Sequence, residues 1–375
     1  MMSNSNELSI DESTLEKLTK LKNDAGFVEK TWDEWFNFVF DLKASRTQST
    51  IEKVMEKLHY ESFDEWIQNF AINLNQVWNE SSARTLDPLQ SSTTSNEEHS
   101  AIVIGRGPSI KKHNHLELIA TSDYKGSIIC GDGSLVSALQ AGITPDKFPK
   151  FYVLTIDPLE RQRKLYDNDL VNKYGEKING IFSTVVHPSA VARARQAGIK
   201  IHWVHPLFDY EEGKKSFNQI SALMVRAKNH KDGLPAIQTG GNVGTAAWFV
   251  GWQILRCTVI ALVGINHGWE EDDSWEKIIS HGRTADPKMY GNNISINMDK
   301  SHPSFEKLFK KIYNPEFNCY SIVDPLFQFY SNAFKEFIIR SPKWLTTINA
   351  TEGGTIFGER IKCMRLRQFL DMYKK

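Results

Sequence analysis

The chain has 375 residues, of which 41% are hydrophobic and 24% charged, a composition typical of a globular protein with two or three structural units. Lysine plus arginine equals aspartate plus glutamate at 45 each, so net charge predicts neither nucleic-acid binding nor attraction to an anionic membrane. Four scattered cysteines without CxxC or Cys/His spacing exclude the usual structural zinc motifs and are typical of reduced thiols in the cytoplasm.

Neither the amino-terminal residues nor the most apolar segment predicts membrane targeting. Residues 1–14 are polar and acidic without an apolar run, so no secretory signal is expected. The most apolar stretch, Ala246–Gly264, is interrupted by Gln253 and Arg256, which favours a buried helix followed by a buried strand over a membrane span. We therefore expect a cytoplasmic protein without a membrane span.

The first 80 residues predict an all-helical unit. They are rich in leucine, lysine, glutamate and tryptophan, and aromatic residues between Trp32 and Leu42 recur near helical spacing. Their simplest role is packing in a core or at a docking surface. The segment Ser62–Trp66 resembles a capped helix start. Residues 81–100 are polar, rich in serine and threonine and without periodicity, and they predict a linker or a mobile loop.

From Ala101 onward the pattern becomes that of an α/β protein, with apolar runs alternating with helical stretches. The runs are 101–104, 127–130, 151–156, 180–184, 200–204 and 257–263. Continuous apolar runs indicate strands buried on both faces, and their alternation with helices predicts a Rossmann-like, mostly parallel sheet flanked by helices over residues 101–270. Residues 271–375 predict a mixed extension that completes the cleft, with helices at 305–312 and 331–339 and a basic amphipathic helix at 360–373.

The first of these strands runs into the turn GRGPS. Gly105 and Gly107 permit a close approach of the backbone to a phosphate, and Ser109 adds a hydroxyl at the start of a helix. The turn is neither GxGxxG nor a P-loop, and a tight strand-to-helix turn without ligand is the alternative. No glycine motif requires Arg106, which points either into the cleft or to solvent.

Three further strand ends carry polar side chains that could do chemistry. Asp132 follows Gly131 in CGDGS, and Asp157 ends the run in TIDP. A carboxylate pair there could bind Mg²⁺ beside nucleotide phosphates or hydrogen-bond a ribose, whereas a helix or turn cap is the alternative for each. His187 ends the following strand and could act as a general base or donate to a phosphate, or it could simply bond to loop backbone.

A second glycine-rich segment, TGGNVG, precedes the most apolar helix. Gly240 and Gly241 before a helix start form a potential anion-binding nest, and Asn242 adds a polar side chain. The next strand ends in VGIN, which places Asn266 at the same predicted edge. Two later segments, HGRTADP and INATEGG, could reach this cleft or form surface turns.

Taken in order, GRGPS, CGDGS, GITPD, TIDP, GGNVGT, VGIN and NATEGG resemble the motifs of one family. It is the archaeal MptE-like 6-hydroxymethyl-7,8-dihydropterin diphosphokinase family, which shares its domain with bacterial flagellin-modifying glycosyltransferases and is distantly similar to sialyltransferases that use CMP-sugars. The resemblance covers residues 100 to about 360 and leaves the helical unit and linker outside it.

This resemblance implies a Mg²⁺-dependent transfer of pyrophosphate from ATP to a pterin hydroxymethyl group, achieved mainly by positioning and charge neutralisation. The resemblance implies that Asp132 and Asp157 hold Mg²⁺ or a ribose, and with His187 from the neighbouring strand end they are the catalytic residues that we expect. The resemblance also implies that Gly105, Gly107 and Ser109 contact the nucleotide and that Gly240, Gly241 and Asn242 contact phosphate or substrate. We expect further nucleotide contacts at Arg106, Gly131 and Asn266. One departure is that the family's strand end commonly reads VG-x-D, and Asn266 cannot supply that charge.

Two alternatives to the diphosphokinase stay open. One is a nucleotide-sugar glycosyltransferase of the same superfamily, for which the helical unit and C-terminal part would bind a bulky acceptor. The other is a nucleotide-binding protein that has lost catalysis, for which Asn266 is the one indication. In each case we expect small-molecule partners and no nucleic acid, and we leave a homo-oligomer open.

Overall fold

The computed structural model describes residues 11–24, 28, 31–41, 47–90, 99–207, 216–274, 277–278 and 309–374. The chain divides into two compact units, residues 1–57 and 58–375. The predicted boundary at residue 80 therefore falls inside the larger unit. Across the described residues no helix combines the length and apolar character needed to cross a membrane.

The smaller unit is helical, as predicted. It contains α1 (Glu12–Asp24), α2 (Trp32–Asp41) and the start of α3 (Thr47–Asn79). A reciprocal capping box begins α2, because the Thr31 hydroxyl accepts from the Glu34 N–H at 3.2 Å while the Glu34 carboxylate accepts from the Thr31 N–H at 2.8 Å. The predicted helix start at Ser62–Trp66 is wrong, since α3 runs through it without a break.

A parallel sheet organises the larger unit and confirms the predicted fold class. Its strands are β1 (Ser81–Ser82), β2 (Ser100–Ile104), β3 (Ser127–Gly131), β4 (Phe151–Thr155), β5 (Asn179–Ser183), β6 (Lys200–Leu207), β7 (Ala236–Gln238), β8 (Val259–Val263), β12 (Thr346–Asn349) and β13 (Ile361–Cys363). Their order is β1-β6-β5-β4-β3-β2-β8-β12-β13, with β7 beside β6, and every pairing is parallel. A separate antiparallel sheet contains β9 (Trp269–Glu270), β10 (Lys310–Asn314) and β11 (Cys319–Val323).

Helices cover both faces of the parallel sheet. They are α4 (Ser109–Lys112), α5 (His115–Thr121), α6 (Asp132–Gln140), α7 (Asp169–Tyr174), α8 (Pro188–Gln196), α9 (Phe217–Arg226), α10 (Val243–Phe249), α11 (Pro325–Arg340) and α12 (Leu366–Met372), and a π-helical turn, Val250–Ile254, extends α10. Alternate residues of β2 enter different apolar clusters: Ile102 and Ile104 join the cluster with α5, α6 and α12, whereas Ala101 and Val103 join the one with α10 and α11. This alternation explains why the strand is apolar at every position.

Part of the C-terminal prediction is corrected by the structure. Residues 310–314, within and beyond the helix expected at 305–312, form strand β10, because they pair with β11. The ring centroids of Tyr313 and Tyr320 lie 5.0 Å apart across this pair. Strand β13 precedes α12, so the closing helix begins at Leu366 rather than near 360. In the predicted linker, residues 81–90 form β1 and two 3-10 turns, and residues 91–98 lie outside the described part.

The strand order creates a topological switch point at β2. From β2 the chain moves outward through β3, β4, β5 and β6, and then returns to β8 on the other side of β2. Ligands of such sheets bind beyond the carboxyl ends of the strands, where the order reverses. The loops after β2, β3, β4, β8 and β12 therefore meet at one edge, which we call the carboxyl edge.

Candidate functional site

The GRGPS turn packs directly on the loop that follows β8. The Gly105 N–H donates to the Val263 carbonyl at 2.8 Å, and the Gly107 N–H donates to the Gly264 carbonyl at 2.7 Å. A Cβ at Gly107 would overlap Asn266 Oδ1 and lie 2.7 Å from the Gly264 oxygen. The glycines are thus needed for contact with β8, and their predicted contact with a nucleotide stays a prediction.

Asn266 is a buried bridge at this junction. It is 3% exposed, its Oδ1 accepts from the Ser109 hydroxyl at 2.8 Å, and its Nδ2 donates to Glu270 Oε1 at 3.2 Å. An aspartate could accept from Ser109, but it could not donate to a carboxylate. The departure from VG-x-D therefore has a structural reason, and a direct nucleotide contact of Ser109 or Asn266 stays a prediction.

Asp132 is the most perturbed carboxyl group of the edge. It is the first residue of α6, is 7% exposed, and accepts from the Gly133 N–H at 2.7 Å through Oδ1. Burial and, to a smaller extent, the charge of Asp157 raise its pKa to about 7. The Gly133 N–H, the Thr155 hydroxyl and Arg106 lower the pKa but do not outweigh these two effects. Its Oδ2 is buried and has no hydrogen-bond partner among the described residues.

Asp157 follows β4, the strand next to β3, so the structure brings the two predicted carboxylates together. Its Oδ2 accepts from Gln162 Nε2 at 2.8 Å. The pair suits a hard cation such as Mg²⁺, which binds one or two carboxylates and takes further ligands from phosphate and water. Within the described ranges, no set of three His, Cys, Asp or Glu side chains is placed to bind a metal.

Arg106 reaches from the β2 turn across to the end of β3. Its Cδ and Nη1 lie 3.2 and 3.5 Å from the position that a Cβ of Gly133 would occupy. The guanidinium also lowers the pKa of Asp132. Arg106 therefore lies at the carboxyl edge as an exposed residue, and its contact with a nucleotide stays a prediction.

The TGGNVG segment forms the turn between β7 and α10. Gly240 and Gly241 have φ of 54° and 81°, a region that favours glycine. Asn242 caps α10, because its Oδ1 accepts from the Thr245 N–H at 2.9 Å. Val243 Cγ1 lies 3.1 Å from the position of a Cβ on Gly131, so this turn adjoins the β3 end that carries Asp132.

His267 is a residue of this edge that was not among the predicted site residues. It is 7% exposed, has a φ of 44°, and its Nε2–H donates to Asn242 Oδ1 at 3.3 Å. Burial lowers its pKa to about 3, with a smaller contribution from Lys335, so the ring is neutral. Its Nδ1 is buried without a partner in the described part of the chain. The only sequence signal is its place directly after Asn266.

His187 has a structural duty in the folded chain. It caps α8, since its Nδ1 accepts from the Ser189 N–H at 3.3 Å and lies 2.8 Å from the Ser189 hydroxyl. These contacts stay at the start of its own helix. They match the backbone-bonding alternative, and a catalytic role for His187 stays a prediction.

Two buried asparagines of α3 hold the loops after β4 and β5, and the sequence did not single them out. Asn69 Nδ2 donates to the carbonyls of Pro158 at 3.0 Å and Val185 at 3.1 Å. Asn73 Nδ2 donates to the carbonyls of Thr184 at 3.1 Å and Val186 at 2.7 Å. Since Pro158 follows Asp157 directly, this helix fixes the backbone beside the second carboxylate. The available signal is the spacing of four residues, which places both amides on one helix face.

The TEGG segment after β12 also belongs to the edge. The Thr355 N–H donates to the Asn266 carbonyl at 2.9 Å, and Gly354, with φ of 74°, packs on the Asn266 backbone. The segment therefore stacks on the β8 loop, which stacks on the GRGPS turn. Of the other predicted contributor, HGRTADP, all residues lie outside the described part.

Comparison with known proteins identifies a family and a structural similarity. A solved MAf glycosyltransferase from Magnetospirillum magneticum AMB-1 has 16% identity and a TM-score of 0.47 over 73% of this chain and 35% of that one. The chain thus spans about a third of the length of that protein. No curated protein matches the sequence. The family described as "6-hydroxymethylpterin diphosphokinase MptE-like" matches residues 68–272, more than half of the chain and most of the strands that form the carboxyl edge. The chain belongs to the MptE-like family.

Proposed function

We propose that the chain is a transferase that binds ATP at the carboxyl edge and moves its pyrophosphate to 6-hydroxymethyl-7,8-dihydropterin with Mg²⁺. The observation that carries this proposal is the Asp132–Asp157 pair, in which one buried carboxylate oxygen has no partner. Family membership supports the class of reaction. A cytoplasmic location is part of the same proposal.

Asp132 and Asp157 would hold the Mg²⁺, which would neutralise the phosphate charge during transfer. A cation beside Asp132 would also remove the cost of keeping that carboxylate charged in a buried position. The unpaired Oδ2 and the raised pKa of Asp132 both fit this role.

The protein's own groups would mainly orient and balance charge. Arg106 brings a positive charge beside the aspartates, where the polyphosphate would lie. The Gly240–Asn242 turn presents the start of α10, whose partial positive charge favours phosphate oxygens. Phosphoryl transfer needs little covalent chemistry from the protein, so positioning and charge neutralisation by these groups are the kinds of contribution that the reaction requires.

The direct test incubates the protein with ATP, Mg²⁺ and 6-hydroxymethyl-7,8-dihydropterin, and measures AMP and pterin diphosphate. Asp132→Asn and Asp157→Asn should each lower the rate at least about 100-fold, because each removes a charge that opposes the phosphates. The matched control is Asp146→Asn, an exposed aspartate paired with Lys177, which should keep the wild-type rate. Wild-type protein that forms no AMP across a series of divalent metals would sink the proposal.

A glycosyltransferase is the second candidate, and Arg106 is the observation that favours it. A guanidinium already beside Asp132 supplies a positive charge without metal, and the aspartates could then accept from ribose hydroxyls. Thermal-shift measurements with ATP, CMP, UDP and GDP, each with Mg²⁺ or with EDTA, separate the two. A preference for CMP or UDP that survives EDTA selects the glycosyltransferase, and binding without any turnover selects a protein that has lost catalysis.

A further inference from the structure

A second cluster of titratable side chains lies on the β8–β12 side of the GRGPS turn. His113 ends α4, His115 begins α5, and Glu352 lies in the TEGG segment after β12. The two imidazoles stack with ring centroids 5.3 Å apart and planes 24° apart. His115 Nε2 lies 3.4 Å from Glu352 Oε1. Because β8 and β12 lie on the opposite side of β2 from β3 and β4, this cluster is separate from the aspartate pair.

Glu352 is held in a strained and oriented state. Its φ of 59° is uncommon for a residue with a side chain, and such backbone strain is concentrated at functional sites. Oε1 accepts from the Leu366 N–H at 3.1 Å as well as from His115, whereas Oε2 receives no hydrogen bond from the described residues. Burial raises the pKa of Glu352, but the bonds from His115 and Leu366 and the nearby His113 outweigh burial and leave it lowered, so the group is a carboxylate at neutral pH.

His113 is the available proton acceptor of the cluster. It is half-buried, and its ring nitrogens make no hydrogen bond within the described part of the chain, while His115 beneath it is 0% exposed. Burial lowers the pKa of His113 below its ordinary value of 6.5, and Glu352 opposes this effect. The ring is therefore neutral at neutral pH, and its protonated form would have a carboxylate beside it. A base with an adjacent carboxylate is the arrangement that activates hydroxyl nucleophiles.

The cluster is joined firmly to the GRGPS turn. Gly354 packs on Asn266, which bonds to Ser109, and Lys112 pairs with the buried Glu270 at 2.8 Å. Glu270 also accepts from Asn266, so one buried network ties α4 to the loops after β8 and β12. His113 and Glu352 therefore keep a fixed position relative to the turn over which the phosphates would lie.

We propose that His113, stacked on His115 and backed by Glu352, is the general base for the acceptor, and that the acceptor hydroxyl binds on this side of the GRGPS turn. This inference rests on the proposed function. The acceptor O–H gives its proton to a ring nitrogen of His113 as its oxygen forms a bond to the transferred group. The bond from that group to the leaving phosphate breaks, and the leaving phosphate takes the electron pair. Glu352 stabilises the imidazolium until the proton passes to water.

The pH dependence follows from the groups that face His113, which are Glu352, His115, Glu270 and Lys112. Glu352 and Glu270 favour the protonated ring, whereas burial, His115 and Lys112 favour the neutral one. Since the net pKa of His113 lies below the ordinary value, wild-type transfer at saturating Mg²⁺, which would keep Asp132 charged, should be constant near neutral pH and fall as pH drops through the pKa of His113. A variant without His113 should lack this acidic limb.

The experiment measures transfer and nucleotide binding on the same variants. His113→Gln should lower the single-turnover rate by about 100-fold to 10,000-fold, and Glu352→Gln by about tenfold, with the dissociation constant for ATP unchanged. The matched control is His99→Gln, because His99 precedes β2 at the opposite edge of the sheet. Added imidazole should restore part of the rate to His113→Ala. A His113→Gln rate within about threefold of wild type, or a parallel loss of ATP binding, overturns the inference.

A second measurement does not depend on turnover. Diethyl pyrocarbonate modifies accessible imidazoles, and peptide mass spectrometry reports the modification of each histidine. 6-Hydroxymethyl-7,8-dihydropterin should protect His113, ATP alone should not, and His99 should react equally in all samples. Protection by ATP alone, or none by the pterin, contradicts the acceptor position. Failure of the wild type to bind any nucleotide instead contradicts the proposed function, so the two failures are distinguishable.

Discussion

The buried neutral His267 makes the stability of the fold dependent on pH in a way that one substitution should remove. Burial lowers its folded-state pKa from an ordinary 6.5 to about 3. On acidification the unfolded chain therefore binds a proton before the folded chain does, and unfolding becomes easier. The contribution of the neutral His267 ring to the free energy of unfolding is complete above pH 6.5. It is lost as the pH falls toward 3, where His267 becomes protonated in the folded chain as well.

The expected size follows from the pKa difference. Each pH unit within this interval is worth about 1.4 kcal/mol. Between pH 8 and pH 4.5, His267 should therefore cost wild type about 3 kcal/mol of unfolding free energy. The variant His267→Gln removes the titrating ring. Its side-chain amide can replace the Nε2–H as the donor to Asn242 Oδ1.

Urea unfolding of wild type and His267→Gln at several pH values between 8 and 4.5 measures this difference. The other histidines and carboxyl groups affect both proteins alike, so only the difference between the two curves reports His267. We expect that difference to grow steadily below pH 6.5. Curves that run parallel throughout this range would refute the argument that the buried ring stays neutral.

Three further substitutions test the packing of the carboxyl edge, each measured by urea or thermal unfolding. Gly107→Ala should lower the free energy of unfolding by about 3 kcal/mol, because its Cβ meets Asn266 in a buried junction; a neutral effect would show that the turn can shift away. Asn266→Asp should cost about 3–5 kcal/mol by placing a second carboxylate against Glu270, and full stability at pH 8 would contradict the bridge. Asn73→Ala should cost about 2–3 kcal/mol because two buried carbonyls lose their donor. The control Asn79→Ala, at the exposed end of α3, should cost less than about 1 kcal/mol, and equal losses would argue against a role of Asn73 in holding the loop after β5.

The central strands were predictable because burial on both faces leaves a signal in the sequence itself. Ala101–Ile104 and Val259–Val263 are apolar at every position, as a strand between two helical layers requires. Strand β7 has three residues, two of them exposed, and so carries no such signal. Strand β10 becomes a strand through its pairing with β11, an interaction that local periodicity does not encode.

The residues of the site likewise divide into those that the sequence could predict and those that it could not. The glycine turns and the aspartates were predictable because strand ends concentrate such residues, and Arg106 was noticed because no glycine motif requires it. The packing of Gly107 on Asn266 was not predictable, since the two residues are far apart in sequence and only the pairing of β2 with β8 brings them together. Asn69 was missed because the sequence analysis assigned its helix to a separate unit, residues 1–80, and not to the unit that contains the sheet.

The pairing of β2 with β8 also sets the order in which the protein can be completed during synthesis. Strands β2 to β6 are consecutive in the chain and can associate as they emerge, but one edge of β2 waits for Val259–Val263. Until then an apolar strand edge stays open, and such edges template aggregation. The GRGPS turn lacks Val263 and Gly264, its hydrogen-bond acceptors, over the same period. A nascent chain shorter than about 260 residues thus holds both aspartates beside a turn that lacks its acceptors, and ligand binding should be the last property it acquires.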